Sequence, residues 1–159
     1  KEGCPWDEYT CWGAAEGGHF KTLQWAREQE CPWDDHTCEG AAIGGHLEIL
    51  RWARGEGCRE LDESTCEAAA QGGQIEVLRW LRGEGSPWSE YMCLGAAEFG
   101  KLETLRWLIK NGCPYRSGPS AQQKADDTFD HDFEEYLKNV ADPEFLKWFE
   151  DYKSDHPPL

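Results

Sequence analysis

Four times in succession the chain returns to the same landmarks at nearly constant spacing. Cys4, Cys31 and Cys58 stand 27 residues apart, Ser86 follows after 28 and Cys113 after another 27. A second cysteine ladder, Cys11, Cys38, Cys66, Cys93, keeps the same register, as does a tryptophan ladder, Trp25, Trp52, Trp80, Trp107. Between them lie Ala14-Ala15, Ala41-Ala42, Ala69-Ala70 and Ala96-Ala97. A period of this length makes each unit one supersecondary motif. Such a unit cannot bury its apolar face alone and must stack on its neighbours.

Each unit reads as two helices. Asp34, at the end of Cys31-Pro32-Trp33-Asp34, suits a helix N-cap, because its carboxylate accepts from the first free N–H groups. Asp7, Asp62 and Ser89 hold the same place. A first helix of about ten residues follows and stops at a glycine pair such as Gly17-Gly18, where positive φ permits a sharp reversal. A second helix runs from His46 to about Arg54, with Leu47, Ile49, Leu50 and Trp52-Ala53 giving it a broad apolar face. Gly57, Gly85 and Gly112 close their units, whereas the first unit has Glu30 there. The alanine pairs let adjacent helices approach, and the tryptophan and leucine positions fill the space between pairs.

These landmarks resemble the ankyrin repeat, whose pattern runs Thr-Pro-Leu-His-x-Ala-Ala, then Gly-His-Leu-Glu-Val, then Gly-Ala-Asp. Thr37-Cys38-Glu39-Gly40-Ala41-Ala42 and Gly45-His46-Leu47-Glu48-Ile49-Leu50 match the first two blocks, and Gly57-Cys58 the start of the third. The likeness covers residues 1 to about 115. It departs in period, 27 or 28 against 33, so the β-hairpin finger is cut to a tight turn. Cysteine also replaces the first-helix leucine. The Cys-Pro-Trp-Asp turn is similar to the divergent ankyrin-like repeats of algal, oomycete and giant-virus proteins. The resemblance implies an all-α, ankyrin-like helix-pair solenoid with shortened fingers. It also implies partner binding on the concave face made by fingers and first helices, a face that shorter fingers would reduce.

The 159 residues fit one domain, or one repeat array with an appendage. The hydrophobic share of 39% suffices for a core, and a mean hydropathy of -0.77 demands a polar surface. No apolar run approaches the roughly 18–20 residues of a membrane span. A net charge of -15 opposes nucleic acid, which is bound chiefly through Lys and Arg on phosphates, and opposes anionic membranes. It suits a partner protein with a basic surface, or simply keeps a monomer soluble.

Eight cysteines invite a disulfide or zinc reading. Equivalent residues in stacked units should lie roughly 8–10 Å apart, beyond the ~7 Å Cα limit of a disulfide. No Cys-x-x-Cys pair starts a zinc site. The sequence therefore favours free thiols: Cys11, Cys38, Cys66 and Cys93 as small core residues, Cys4, Cys31, Cys58 and Cys113 packed at turns. Free thiols imply a reducing compartment, cytoplasm or organelle stroma or matrix. His19 and His46 open second helices where Gln74 and Lys101 stand in other units, which argues against a metal role. The glycine turns lack the Lys-Ser/Thr of a phosphate loop, and acidic pairs such as Asp34-Asp35 suit helix starts. Catalytic residues, cofactor and metal are thus all expected to be absent.

Positions that vary between units are free to serve a partner. On the first helices these are Tyr9, His36, Ser64 and Tyr91, then Trp12, Glu39, Glu67 and Leu94, then Glu16, Ile43, Gln71 and Glu98. Exposed Trp and Tyr are typical interface anchors. Trp12 is the foremost candidate, with packing against an upstream repeat as its alternative. Lys1-Glu2-Gly3-Cys4 matches the close of a second helix, so the array is expected to start mid-unit, its end covered by further repeats or by another protein. Residues 116–127 read as a linker. Beyond it, Phe129, Phe133, Tyr136, Leu137 and Val140, and then Phe145, Trp148, Phe149 and Tyr152, recur at helical spacing as two acidic amphipathic helices within 128–159. These either fold back as a cap or dock on a partner, which would place Phe145, Trp148 and Phe149 in the interface. Two functions remain: a non-catalytic protein-binding scaffold, or an accessory subunit built permanently into a large assembly, for instance in an organellar membrane.

Overall fold

The computed structural model describes residues 8–32, 34–57, 61–89, 91–115 and 128–156. Among them are ten α-helices and no strand. In chain order they are α1 Glu8–Glu16, α2 Phe20–Glu28, α3 Asp35–Gly44, α4 Leu47–Gly55, α5 Glu63–Gly72, α6 Ile75–Gly83, α7 Tyr91–Glu98, α8 Leu102–Lys110, α9 Thr128–Val140 and α10 Pro143–Asp155. The chain is all-α, and each repeat is a helix pair.

The local signals act as their chemistry requires. Asp34 caps α3 by accepting from the His36 N–H, and Asp62 caps α5 by accepting from the Thr65 N–H. Burial pushes the Asp62 carboxyl up, but the hydrogen bonds from Ser64 and Thr65 outweigh it and hold the group below the usual carboxylate range. Asp7 lies outside the described residues. Gly45 and Gly73 end α3 and α5 with φ of 80°, a left-handed conformation that other residues adopt only at a cost.

α1, α3, α5 and α7 lie in a row, each packed on the next, and each also contacts its own second helix. Their apolar positions are small: Cys38, Ala41, Ala42, Cys66, Ala69 and Ala70 are all fully buried. Glycine brings the backbones closer still. A Cβ on Gly40 would fall 2.7 Å from the Trp12 carbonyl oxygen, and one on Gly44 or Gly72 would press into the carbonyl of Glu16 or Ile43. Those carbonyls, at C-terminal ends of first helices, are partnered from the following unit. His46 Nε2 lies 2.9 Å from the Glu16 oxygen, and Gln74 Nε2 donates to the Ile43 oxygen at 3.1 Å. The second helices bury the larger side chains, among them Leu50, Leu78, Leu81, Leu105 and Leu108.

The tryptophan row sits at the margin of this core. Trp52, Trp80 and Trp107 are half-buried and Trp25 is 45% exposed. Arg51 lies over the Trp80 ring and Arg79 over Trp107, each 6.0 Å from the centroid. Arg106, the next in register, lies 5.0 Å from Trp148 of α10 and 5.7 Å from Phe145. The C-terminal helices thus supply the ring that a further repeat would have supplied. α9 packs on α7, Tyr115 meets Phe149 edge-on at 5.6 Å, and the Tyr152 hydroxyl donates to the Ile109 carbonyl at 3.2 Å. Phe133, Leu137, Phe145 and Phe149 join the continuous core. The expected linker, 116–127, lies outside the described residues.

Two consequences are measurable. Glu30 has φ of 58° where Gly57, Gly85 and Gly112 close the other units. Glu30→Gly should therefore stabilise the chain by about 0.5–1 kcal/mol, read as a raised midpoint in urea. Phe145 is 1% exposed, so Phe145→Ala should cost about 3–5 kcal/mol in the same measurement. A loss under 1 kcal/mol would show that the cap is not docked.

Candidate functional site

The chemistry of the surface divides between the two helix rows. The first helices, with sequences EYTCWGAAE, DHTCEGAAIG, ESTCEAAAQG and YMCLGAAE, contain no Lys or Arg. The second helices each carry at least one basic residue in the last turn: Arg27, Arg54, Arg82 and Lys110. Arg54 pairs with Glu84, and Arg82 lies 4.3 Å from the Trp88 ring centroid. Much of the chain's positive charge is thus engaged on the second-helix side, and the first-helix side is left acidic.

On the acidic side α1 and α3 frame a cleft of about 230 Å³, lined among the described residues by Tyr9, Trp12, Asp34 and His36. Three of these four were expected at a partner surface. Tyr9 is 73% exposed. Trp12 is half-buried, its ring edge set against Gly40, where a Cβ would lie 3.1 Å from Cδ1. The Asp34 carboxylate has two tasks. Oδ1 accepts from the His36 backbone N–H at 3.1 Å, and Oδ2 lies 2.9 Å from His36 Nδ1. That hydrogen bond, with the charges of Asp34, Glu39 and Asp35, pushes the exposed His36 above its ordinary 6.5. Sequence reading gave Asp34 to the helix cap alone. Its second oxygen became visible only with the His36 ring two residues on.

The other expected contacts separate into four groups. Tyr91 is exposed at 58% on α7, at the far end of the row. Glu39 and Glu67 require correction as free surface groups, since each is half-buried and stitched to the following unit. Glu39 Oε1 accepts from Ser64 Oγ at 2.6 Å, and Glu67 Oε1 accepts from Ser89 Oγ at 2.6 Å. Glu16 and Ile43 are half-buried beside the carbonyls that His46 and Gln74 engage, and Leu94 is half-buried against the core. Finally, Phe145 and Phe149 are buried inside this chain and Trp148 is half-buried under Arg106 and Lys110. Expected at an interface, these three serve instead to close the array.

No protein-family model matches the chain, and a comparison with curated proteins finds no match. Among the described residues no group of three or more His, Cys, Asp or Glu is placed to hold a metal ion, and no helix is long and apolar enough to cross a membrane.

The cysteines need a further correction. Comparing equivalent residues along one ladder hid the contact that matters, which runs between ladders. Cys11 Sγ lies 3.2 Å from Cys31 Sγ, 20 residues on. Cys113, again 20 residues on, neighbours Cys93 and pushes its thiol up. Cys38 is disulfide-bonded. Cys66 has Ser86 as its neighbour at the same step. The constant step was readable in the sequence.

The His36–Asp34 pair carries a pH signature. His36 in the folded chain should titrate with a midpoint above 6.5 by two-dimensional NMR, and Asp34→Asn should bring it back towards that value. A folded-state pKa above the unfolded one means that the pair's support is complete below about 6.5 and fades as pH rises through the folded midpoint.

Proposed function

We propose that this chain is an ankyrin-like helix-pair solenoid with shortened fingers, and that it binds a protein partner with a basic surface through its first-helix face. The observation that carries this reading is the cleft of Tyr9, Trp12, Asp34 and His36 on a helix row free of Lys and Arg. Tyr and Trp offer large contact area at low entropic cost and are enriched among the residues that dominate binding energy. An Arg or Lys side chain of the partner would lie over the aromatic rings and point its charge at the Asp34 carboxylate. Exposed Tyr91 extends the same face to the other end of the row. The helix pairs supply a rigid frame, and the varied side chains on it supply selectivity. The resemblance to ankyrin repeats in helix order and spacing supports the same mode of action.

The double variant Tyr9→Ala/Trp12→Ala tests the assignment. Captured from cell extract under native conditions and compared by mass spectrometry, it should lose the partner held by the natural chain, with unchanged helical circular dichroism. Glu48→Ala on α4, an exposed second-helix position, should keep that partner. Capture should also weaken as salt is raised, because the contact joins opposite charges. Equal recovery by the double variant and the natural chain would refute the first-helix face as the binding surface.

A further inference from the structure

The two cysteine pairs that remain thiols share an arrangement that packing alone does not require. In each pair the first-helix cysteine is sealed: Cys11 and Cys93 are 0% exposed. The turn cysteines, Cys31 and Cys113, are themselves only 2% exposed, but each lies at the wall of an open cleft. Cys31 lines one of about 790 Å³ with Arg27, Glu30 and Pro32. Cys113 lines another of about 380 Å³ with Pro114, Tyr115 and Tyr152. Each pair therefore has an outer and an inner sulfur. Cys11 Sγ has its partner Cys31 Sγ in hydrogen-bonding contact at 3.2 Å, and Cys113 is the neighbour that most perturbs Cys93. At the same position in a neighbouring unit Cys38 is already disulfide-bonded. The unit with Ser86 in the outer place has a free, buried Cys66.

We propose that Cys11–Cys31 and Cys93–Cys113 are disulfide-forming sites. Each closes by thiol–disulfide exchange with a small-molecule disulfide of the glutathione class, the outer cysteine reacting first and the inner one resolving. The Cys31 thiol gives up its proton to solvent, and its thiolate attacks one sulfur of oxidised glutathione. The glutathione S–S bond breaks and one glutathione thiolate leaves. The Cys11 sulfur, deprotonated in turn, attacks the Cys31 sulfur of the mixed disulfide and expels the second glutathione. The cysteine pair is oxidised by two electrons and the oxidant reduced by two. The two protons shed by the cysteines end on the two glutathione thiols.

The order follows from the clefts beside the outer sulfurs and from the surroundings of the inner ones. Burial, and then the neighbouring Cys31, pushes the Cys11 thiol up to about 12. The contact with Cys113, and then burial, pushes the Cys93 thiol up as well. A protonated, sealed thiol is a poor first attacker, since the thiolate is the nucleophile. Held against a mixed disulfide it is well placed for the second step, because the sulfurs need to approach from 3.2 Å only to the roughly 2.05 Å of a disulfide bond. Closure ties α1 to the turn that opens α3, and α7 to the turn that follows α8. Oxidation would thereby brace both ends of the helix row and leave the Cys66 unit unbraced.

The folded chain is incubated with oxidised and reduced glutathione at a series of ratios, quenched in acid, alkylated and mapped by peptide mass. Expected are cross-links Cys11–Cys31 and Cys93–Cys113, each short of two hydrogens, with Cys66 alkylated throughout. The melting temperature should rise with their occupancy. Cys31→Ser, which copies the Cys66–Ser86 unit, should abolish the first cross-link and leave Cys11 without adduct while the second still forms. Cys11→Ala should trap glutathione on Cys31. Cross-links joining other pairs, adducts on Cys11 in the Cys31→Ser variant, or thiols that stay free at every ratio would each overturn the proposal. Mapping the natural chain alone decides the pairing if a variant fails to fold.

Discussion

The approach of one first helix to the next governs the rest of the structure. Where α3 meets α1, the carbonyl oxygens of Trp12 and Glu16 lie where a side chain on Gly40 or Gly44 would have to be. The same holds for Gly72 against Ile43. This closeness sets the rise from unit to unit, and several longer interactions rely on that rise. At a wider spacing His46 and Gln74 would not reach the carbonyls of Glu16 and Ile43, nor Glu39 the hydroxyl of Ser64. Packing density favours such contacts because interiors tolerate neither voids nor overlap. Glycine and alanine here are fixed by distance between backbones and not by helix propensity, which glycine lowers.

Charge follows from the same geometry. The first-helix row is too tightly packed for long side chains between its members, and its outward positions carry carboxylates, hydroxyls and aromatics. Arginines gather on the second helices, where their stems cover tryptophan faces and their heads remain hydrated. The result is a two-sided molecule, acidic and aromatic on one side, basic and apolar on the other. The proposed recognition of a basic partner rests on that division. The proposed thiol chemistry is independent of it, being set by the constant 20-residue step from first helix to following turn.

What the sequence disclosed, and what it hid, divides by range. Helix pairs, the Asp34 and Asp62 caps, the glycine stops and the odd Glu30 were legible because each depends on residues within one turn. The small first-helix residues were legible as a pattern. Glu39 and Glu67 were not, because outward on a lone helix and free in a stack are different conditions, and the serines that claim them sit 25 and 22 residues away. The cysteines misled for a similar reason: distances were weighed along a ladder, whereas the meeting is across ladders. Phe145, Trp148 and Phe149 announced a stripe but not its target. A stripe seeks any apolar surface, and α8 supplies one within the same chain. Trp12, Tyr9 and His36 were legible as surface residues, but their convergence with Asp34 required the placement of α3 beside α1.

The file of guanidinium groups over indole rings has one more implication. Arg51 meets the ring of the next unit, Arg79 does the same, and Arg106 finds in Trp148 an equivalent ring belonging to no repeat. The closing helices therefore engage, at this point, a feature that earlier units also present. The junction is generic in that respect, with a common arginine socket on the second, third and fourth units, Gln24 standing in that place in the first, and a single plug after the fourth. An array whose units share such a socket can lengthen or shorten by whole units while keeping one terminator, so the number of repeats is a free variable on which the extent of the proposed binding face can be tuned.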